Sequence, residues 1–204
     1  MALTDAPEVA VVRTGTANMA SVLAGLRRAG ATVHLTEDAH DIESASHVMV
    51  PGVGAFGATL AELRHLRLDD VLRERVLAGE KPTLGICMGM QLFCESSEES
   101  PGVVGLGALP IAVRRFPSSV RVPQLGWNQV QADPSCRLLQ PGFAYFANSY
   151  HLPSAPSGWP TAYSHHGNRF VAATEHNNVL LCQFHPELSG PWGIDLMRRW
   201  LEIR

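Results

Sequence analysis

Three short stretches carry residue types suited to acyl transfer. In "GICMGMQ" a thiol, Cys87, stands between Gly85 and Gly89, directly after the apolar run "TLGI". A nucleophile has to meet its substrate while its backbone is held firmly, and a sharp strand-to-helix turn does both. The two glycines leave space where strand and helix crowd each other, and a following helix offers its N-terminal dipole to a thiolate. A small buried cysteine in a core suits the same pattern.

A thiolate needs a proton carrier, and the carrier needs an orienting group. "CQFHPELSG" holds both: His185 follows an apolar strand, Pro186 ends it, and the Glu187 carboxylate lies two residues on. The carboxylate can hold one imidazole nitrogen while the other faces Cys87. The remaining eight histidines have no such context, and His165 and His166 in "YSHHGN" read as a loop pair. A third requirement is a pair of N–H groups aimed at the oxyanion. "PGVGAF" closes a strand at the same sheet end as Cys87, and Gly52 and Gly54 allow the Val53 amide to turn inward beside that of Met88. A plain Gly-rich turn before a helix, or a weak phosphate loop, has the same composition.

These residues need a scaffold of alternating strands and helices. "EVAVVR" reads as a strand, then a turn where Asn18 caps the helical spacing Met19, Val22, Leu23, Leu26, with Gly30 as its stop. "ATVHL" and "SHVMVPG" read as two further strands, "AFGATLAELRHL" and "DDVLRERVLAGE" as helices, "KPTLGI" as a buried strand and "MGMQLFCES" as a helix. The order expected is β, α, β, β, α, building a mostly parallel sheet with helices on both faces. From Pro101 short β-like runs dominate: "LPIAVRRF", "FAYFANSY", "RFVAATE" and "NVLLCQF". "HLPSAPSGWP" reads as a surface loop too short to divide domains. Ile194, Met197, Trp200 and Leu201 mark one face of a last helix.

The chain has 204 residues, 46% hydrophobic and 17% charged, with a net charge of -3, which fits one α/β domain spanning 1–204. No apolar run approaches the ~20 residues of a membrane span. No basic tract offers an electrostatic footprint for nucleic acid. Cys87, Cys94, Cys136 and Cys182 form no CxxC pair, so neither a disulfide framework nor a metal site is expected. The opening "MALTDAPEV" lacks a basic flank and an apolar h-region, which makes the cytoplasm the expected location.

Together "PGVGAF", "GICMGMQ" and "QFHPE" resemble class I (triad) glutamine amidotransferases. "VPQLGWNQV", "YFANSYH" and "EESPGVVGLG" narrow the resemblance to the glutaminase subunits of imidazole glycerol phosphate synthases. It runs from about Val9 to the final helix. The resemblance implies a flavodoxin-like fold, Cys87 as nucleophile, His185 as base and Glu187 as its orienter, with an oxyanion hole at Gly52, Val53, Gly54 and Met88. It implies glutamine held by Gln91 and the backbone around Ser149 and Tyr150, and no cofactor. The implied partner is a (β/α)8-barrel cyclase subunit, contacted near Asn18, Trp127, Asn128 and Leu188. Leu188 stands where the family usually has a docking lysine, Gln124 and Asn148 stand where histidines are common, and Ala17 alters the usual "GxGN". An amidotransferase serving another synthase, a binding module of the same fold without turnover and a free-standing thiol hydrolase are the competing readings.

Overall fold

The structure, a computed structural model, describes residues 6–14, 19–52 and 54–204. The first half runs β1 (Glu8–Val12), α1 (Met19–Ala29), β2 (Thr32–Thr36), α2 (Ala39–Ser44), β3 (His47–Val50), α3 (Phe56–His65), α4 (Asp69–Ala78), β4 (Thr83–Ile86) and α5 (Met88–Gln91). The second half adds β5 (Cys94–Ser97), β6 (Leu109–Arg115), β7 (Gln124–Ala132), β8 (Gly142–Asn148), β9 (Tyr150–His151), β10 (Thr161–His166), β11 (Asn168–His176), β12 (Val179–Cys182) and α6 (Gly190–Leu201).

A nine-stranded sheet in the order β2-β1-β3-β4-β12-β11-β10-β7-β8 forms the backbone of the molecule, and β5-β6-β9 form a small second sheet. The first five strands of that order pair in parallel, which is the flavodoxin-like arrangement. The other four add antiparallel ladders. The expected parallel sheet is therefore one side of a mixed one, from the edge strand β2 to β12, and the antiparallel strands widen it on the other.

Burial explains the sequence of the parallel strands. Val9 and Val11 face one core, with Val22 and Leu26 of α1 and Ile194, Met197 and Trp200 of α6. Ala10 and Val12 face the other, with Ile42, Phe56, Leu60, Leu72 and Val76. Both faces are covered, so these strands are apolar throughout instead of alternating. Trp200, Phe56, Phe146 and Phe184 are fully buried, each contributing roughly 1.5–3 kcal/mol over an exposed position.

Three expectations are corrected. Two consecutive strands were expected after α1, yet β2 and β3 lie parallel on opposite sides of β1, so a crossover must join them. α2 makes it, capped by the Asp38 carboxylate accepting the His40 N–H at 2.8 Å. The helix expected over "MGMQLFCES" stops at Gln91, because Cys94–Ser97 pairs with β6, Cys94 opposite Leu109. His165 and His166 end β10 and face Arg169 and Asn168 of β11 across Gly167, which turns at φ +76°; they are strand residues, not a loop. "QLGWNQVQA" also forms a strand, β7, that its polar composition concealed.

Candidate active site

The three chemistry-bearing stretches leave the carboxyl ends of three neighbouring parallel strands. Pro51 and Gly52 follow β3, Cys87 follows β4, and His185 lies beyond β12, whose Cys182 pairs with Ile86 of β4. Ligands of open α/β sheets bind at this end.

Cys87 sits at φ 52°, ψ −106°, a left-handed conformation costly for any residue with a side chain. Its N–H donates to the Cys182 carbonyl at 2.6 Å, and its own carbonyl accepts from Met90 and Gln91 at 3.1 and 3.2 Å. Strand and helix therefore fix the turn from both sides. A Cβ on Gly85 would fall 2.7 Å from the Gly89 carbonyl oxygen, and one on Gly89 would collide with that of Val50. Gly52 presses so closely on the elbow that a side chain there would overlap the Met88 amide. The glycines thus bring the β3 exit against the Met88 N–H. Since α5 has only four residues, its dipole is small, and the local hydrogen bonds to the sulfur matter more.

Beyond the elbow, Glu99 and Ser100 accept the Phe56 and Gly57 amides at 2.7 and 3.0 Å. They cap α3 at its first two amides. Gly54 takes φ +128°, a conformation reserved for glycine. Val53 and Asn18, both expected to contribute, lie outside the described residues.

His185 and Glu187 are buried, with Nδ1 of the imidazole 2.8 Å from Oε1 of the carboxylate. That contact leaves Nε2 for the thiol. Burial alone would lower the His185 pKa; hydrogen bonds and charge from Cys87 and Glu187 outweigh it and raise it to about 10. An imidazolium held beside Cys87 is loaded to protonate a leaving amine. The turn is braced from three sides. The His185 N–H donates to Tyr145 O at 2.9 Å, Ser189 Oγ donates to His185 O at 2.6 Å, and Arg28 donates to Glu187 O at 3.0 Å.

Gln91 is buried beside the elbow. Its Nε2 donates to Tyr150 O at 3.1 Å and Gln183 Oε1 at 2.8 Å, and its Oε1 has no partner among the described residues. Ser149 turns its carbonyl to Phe116 N at 3.0 Å. Trp127, Leu125 and Phe143 project from the β7–β8 hairpin with more than half of their surface exposed, and Leu188 is 42% exposed beside the His-Pro-Glu turn. Asn128 differs: its amide bridges to His165 O at 2.9 Å and to Gln129 N at 2.8 Å, tying β7 to its neighbour.

Sequence reasoning missed Gln183, Arg28, Gly25, Glu99 and Ser189. Only Gln183 leaves a signal, as a polar residue interrupting the apolar run before His185. Among the described residues no group of three His, Cys, Asp or Glu side chains is placed to hold a metal, and no helix is long and apolar enough to cross a membrane.

The family model "Glutamine amidotransferase class-I" matches residues 11–202. The chain is 38% identical over 200 residues to the imidazole glycerol phosphate synthase subunit HisH of Herpetosiphon aurantiacus, covering 96% of this chain and 94% of that one. It is 38% identical over 198 residues to the subunit of the same name from Methanothermobacter thermautotrophicus, covering 96% and 98%. The corresponding subunit of Deinococcus radiodurans is 40% identical over 198 residues, covering 94% and 92%. Among solved structures, a glutamine amidotransferase superposes with TM-score 0.75 at 21% identity, covering 95% of this chain and 97% of the other. Another, from Thermotoga maritima, gives 0.61 at 15%, covering 96% and 81%. At such identities these two speak for the fold. A match over nearly the whole length, to relatives well above 30% identity, makes this chain a member of the class-I glutamine amidotransferase family and, within it, of the imidazole glycerol phosphate synthase HisH subunits.

Proposed function

We infer that the chain is the glutaminase subunit of an imidazole glycerol phosphate synthase in histidine biosynthesis, releasing ammonia from glutamine. The observation that carries the chemical reading is the buried His185–Glu187 pair, 2.8 Å apart and next to a cysteine held in a strained elbow.

In this reading Cys87 Sγ attacks the side-chain amide carbon of glutamine. The developing oxyanion is assigned to the Met88 amide and, by the family resemblance, to that of Val53, the residue between Gly52 and Gly54. His185, as imidazolium, gives its proton to nitrogen as the C–N bond breaks, and ammonia leaves. The neutral imidazole then takes a proton from water, which attacks the γ-glutamyl thioester and restores the thiolate. Glu187 keeps the imidazole in one orientation and stabilises its positive charge. The Gln91 Oε1, unpartnered among the described residues, would hold the rest of glutamine with backbone near Ser149 and Tyr150. No cofactor is needed for these steps.

The ammonia is destined for a cyclase subunit, a (β/α)8 barrel that makes imidazole glycerol phosphate and an aminoimidazole carboxamide ribotide. A docking face is supported by the exposed Leu125, Trp127, Phe143 and Leu188 beside the His-Pro-Glu turn, with Asn128 at its margin. Asn18, outside the described residues, is assigned to this rim by the family resemblance alone. An apolar Leu188 suits an apolar contact on the partner. The cytoplasm is the compartment that this role fits.

The test is glutamate release by the purified chain, alone and with the same organism's cyclase and its ribotide substrate. Strong stimulation is expected, and Cys87→Ala should release none. Equal rates with and without the cyclase would assign the chain to another synthase.

A further inference from the structure

A buried chain of carboxamides joins the elbow to the strand before His185, and the reaction steps above give its Gln183 no role. Gln183 is fully buried, and its backbone N–H donates to Ala172 O at 2.8 Å, which holds it in register beside β11. Its Nε2 lies 3.5 Å from Cys87 Sγ, and its Oε1 accepts from Gln91 Nε2 at 2.8 Å.

Carboxamide oxygen and nitrogen have nearly the same shape, so the hydrogen-bond network must decide which end faces the sulfur. Here a backbone carbonyl decides. Tyr150 C=O can only accept, so Gln91 must point its NH2 at it, 3.1 Å away. That same nitrogen contacts Gln183, which must therefore present its oxygen. The end of Gln183 facing Cys87 is then its NH2. Asn148 Nδ2 donates to the same carbonyl at 3.0 Å, so Tyr150 O anchors both amides.

We propose that Gln183 is a catalytic residue that donates an N–H hydrogen bond to the Cys87 sulfur, with Gln91 fixing the direction of that donor. A thiol is a weak acceptor and a thiolate a strong one, so the bond selects the reactive form and aims its lone pairs. His185 and Gln183 then hold the sulfur between two donors. Gln91 gains a second duty beside contact with glutamine, since its Oε1 has no partner among the described residues. The inference rests on Cys87 being the nucleophile.

The experiment is alkylation of the full chain by iodoacetamide, followed by peptide-resolved mass spectrometry so that Cys94, Cys136 and Cys182 are counted apart. Gln183→Met keeps the length of the side chain and removes the donor. Cys87 in this variant should alkylate about tenfold more slowly than in the parent at neutral pH, as expected for losing a hydrogen bond to a charged group. The two rates should converge at alkaline pH, where forming the thiolate no longer depends on this bond. Gln91→Met should slow alkylation in the same direction by about threefold, because Gln183 then loses its anchor. A neutral-pH rate within about twofold of the parent would overturn the proposal, as would slowing that persists at alkaline pH, which marks a packing defect. If Gln183→Met does not fold, Gln91→Met decides by the same criteria. Alkylation uses no glutamine, so a parent that releases no glutamate would count against the functional reading and leave this contrast to judge the hydrogen bond.

Discussion

Gly25 on α1 lies directly against Glu187: a Cβ on Gly25 would stand 2.7 Å from the Glu187 Cβ and 3.2 Å from its Cα. One turn later Arg28 donates to the Glu187 carbonyl. The first helix of the chain therefore presses on the backbone and Cβ of the residue whose carboxylate holds His185, although the two are distant in sequence.

Gly25→Ala should raise helix propensity by roughly 1 kcal/mol, yet displace Glu187 by several tenths of an ångström. The expected outcome is a folded protein whose kcat falls about tenfold with KM nearly unchanged, because orientation and not substrate contact is lost. Steady-state glutaminase kinetics decide it, and an unchanged kcat would refute the contact's role.

The elbow stores strain that glycine would release. Cys87→Gly and Cys87→Ala should both lose glutamate release, but the glycine variant should be more stable than the alanine variant by about 1 kcal/mol, since φ 52° costs glycine little. Paired thermal unfolding curves read the difference, and an alanine variant of equal or greater stability would argue against a strained turn.

The His185 pKa, raised to about 10 by Cys87 and Glu187 against the effect of burial, exceeds its unfolded value of about 6.5. Folding thus favours the imidazolium. The stability this contributes is complete below about pH 6.5 and is lost as pH rises through about 10. Glu187→Gln weakens the stabilisation, so the variant should melt below the parent at neutral pH and the gap should narrow above about pH 10. A pH series of melting temperatures tests this; a gap independent of pH contradicts it.

Arg75 is buried and donates to the carbonyls of Ile42, Ala45, Ser46 and Pro82 and to the Thr83 hydroxyl. Burial lowers its pKa to about 10, but it remains cationic at neutral pH. Arg75→Met removes these donors, although Pro82 O keeps the Val48 N–H at 3.0 Å, and should cost roughly 3 kcal/mol. Denaturant unfolding would show it, and a loss below about 1 kcal/mol would mean that water replaces the guanidinium.

Leu125→Arg and Phe143→Arg alter the exposed face of the β7–β8 hairpin without touching the elbow. Each should weaken binding to the cyclase at least about tenfold and leave glutamate release by the isolated chain unchanged. Calorimetric titration with the cyclase settles this, and undiminished affinity in both variants would place the interface elsewhere.

The elements read most readily from sequence are those whose signal is local. α1, α3, α4 and α6 follow from helical spacing, and β1, β3, β4 and β12 from short apolar runs. Cys87, His185 and Glu187 stood out because an elbow needs glycines at fixed positions and a His-Pro-Glu turn places the carboxylate two residues from the imidazole. α2 was harder to see because a crossover is demanded by where β2 and β3 pair, and pairing is not a local property.

What the sequence by itself determined is the chemistry available: a thiol at a forced turn, an imidazole with its own carboxylate, and glycines that let backbone approach backbone. Tertiary structure decided the rest. β5 exists where a helix was expected because β6 supplies its hydrogen bonds. Trp127 is exposed and Asn128 tied down because β7 pairs with β8 on one side and β10 on the other. Gln183 turns its NH2 to Cys87 because the Tyr150 carbonyl, two steps away through Gln91, can only accept. The direction of a buried amide is set by the partners that the fold brings to it, and no pattern along the chain records them.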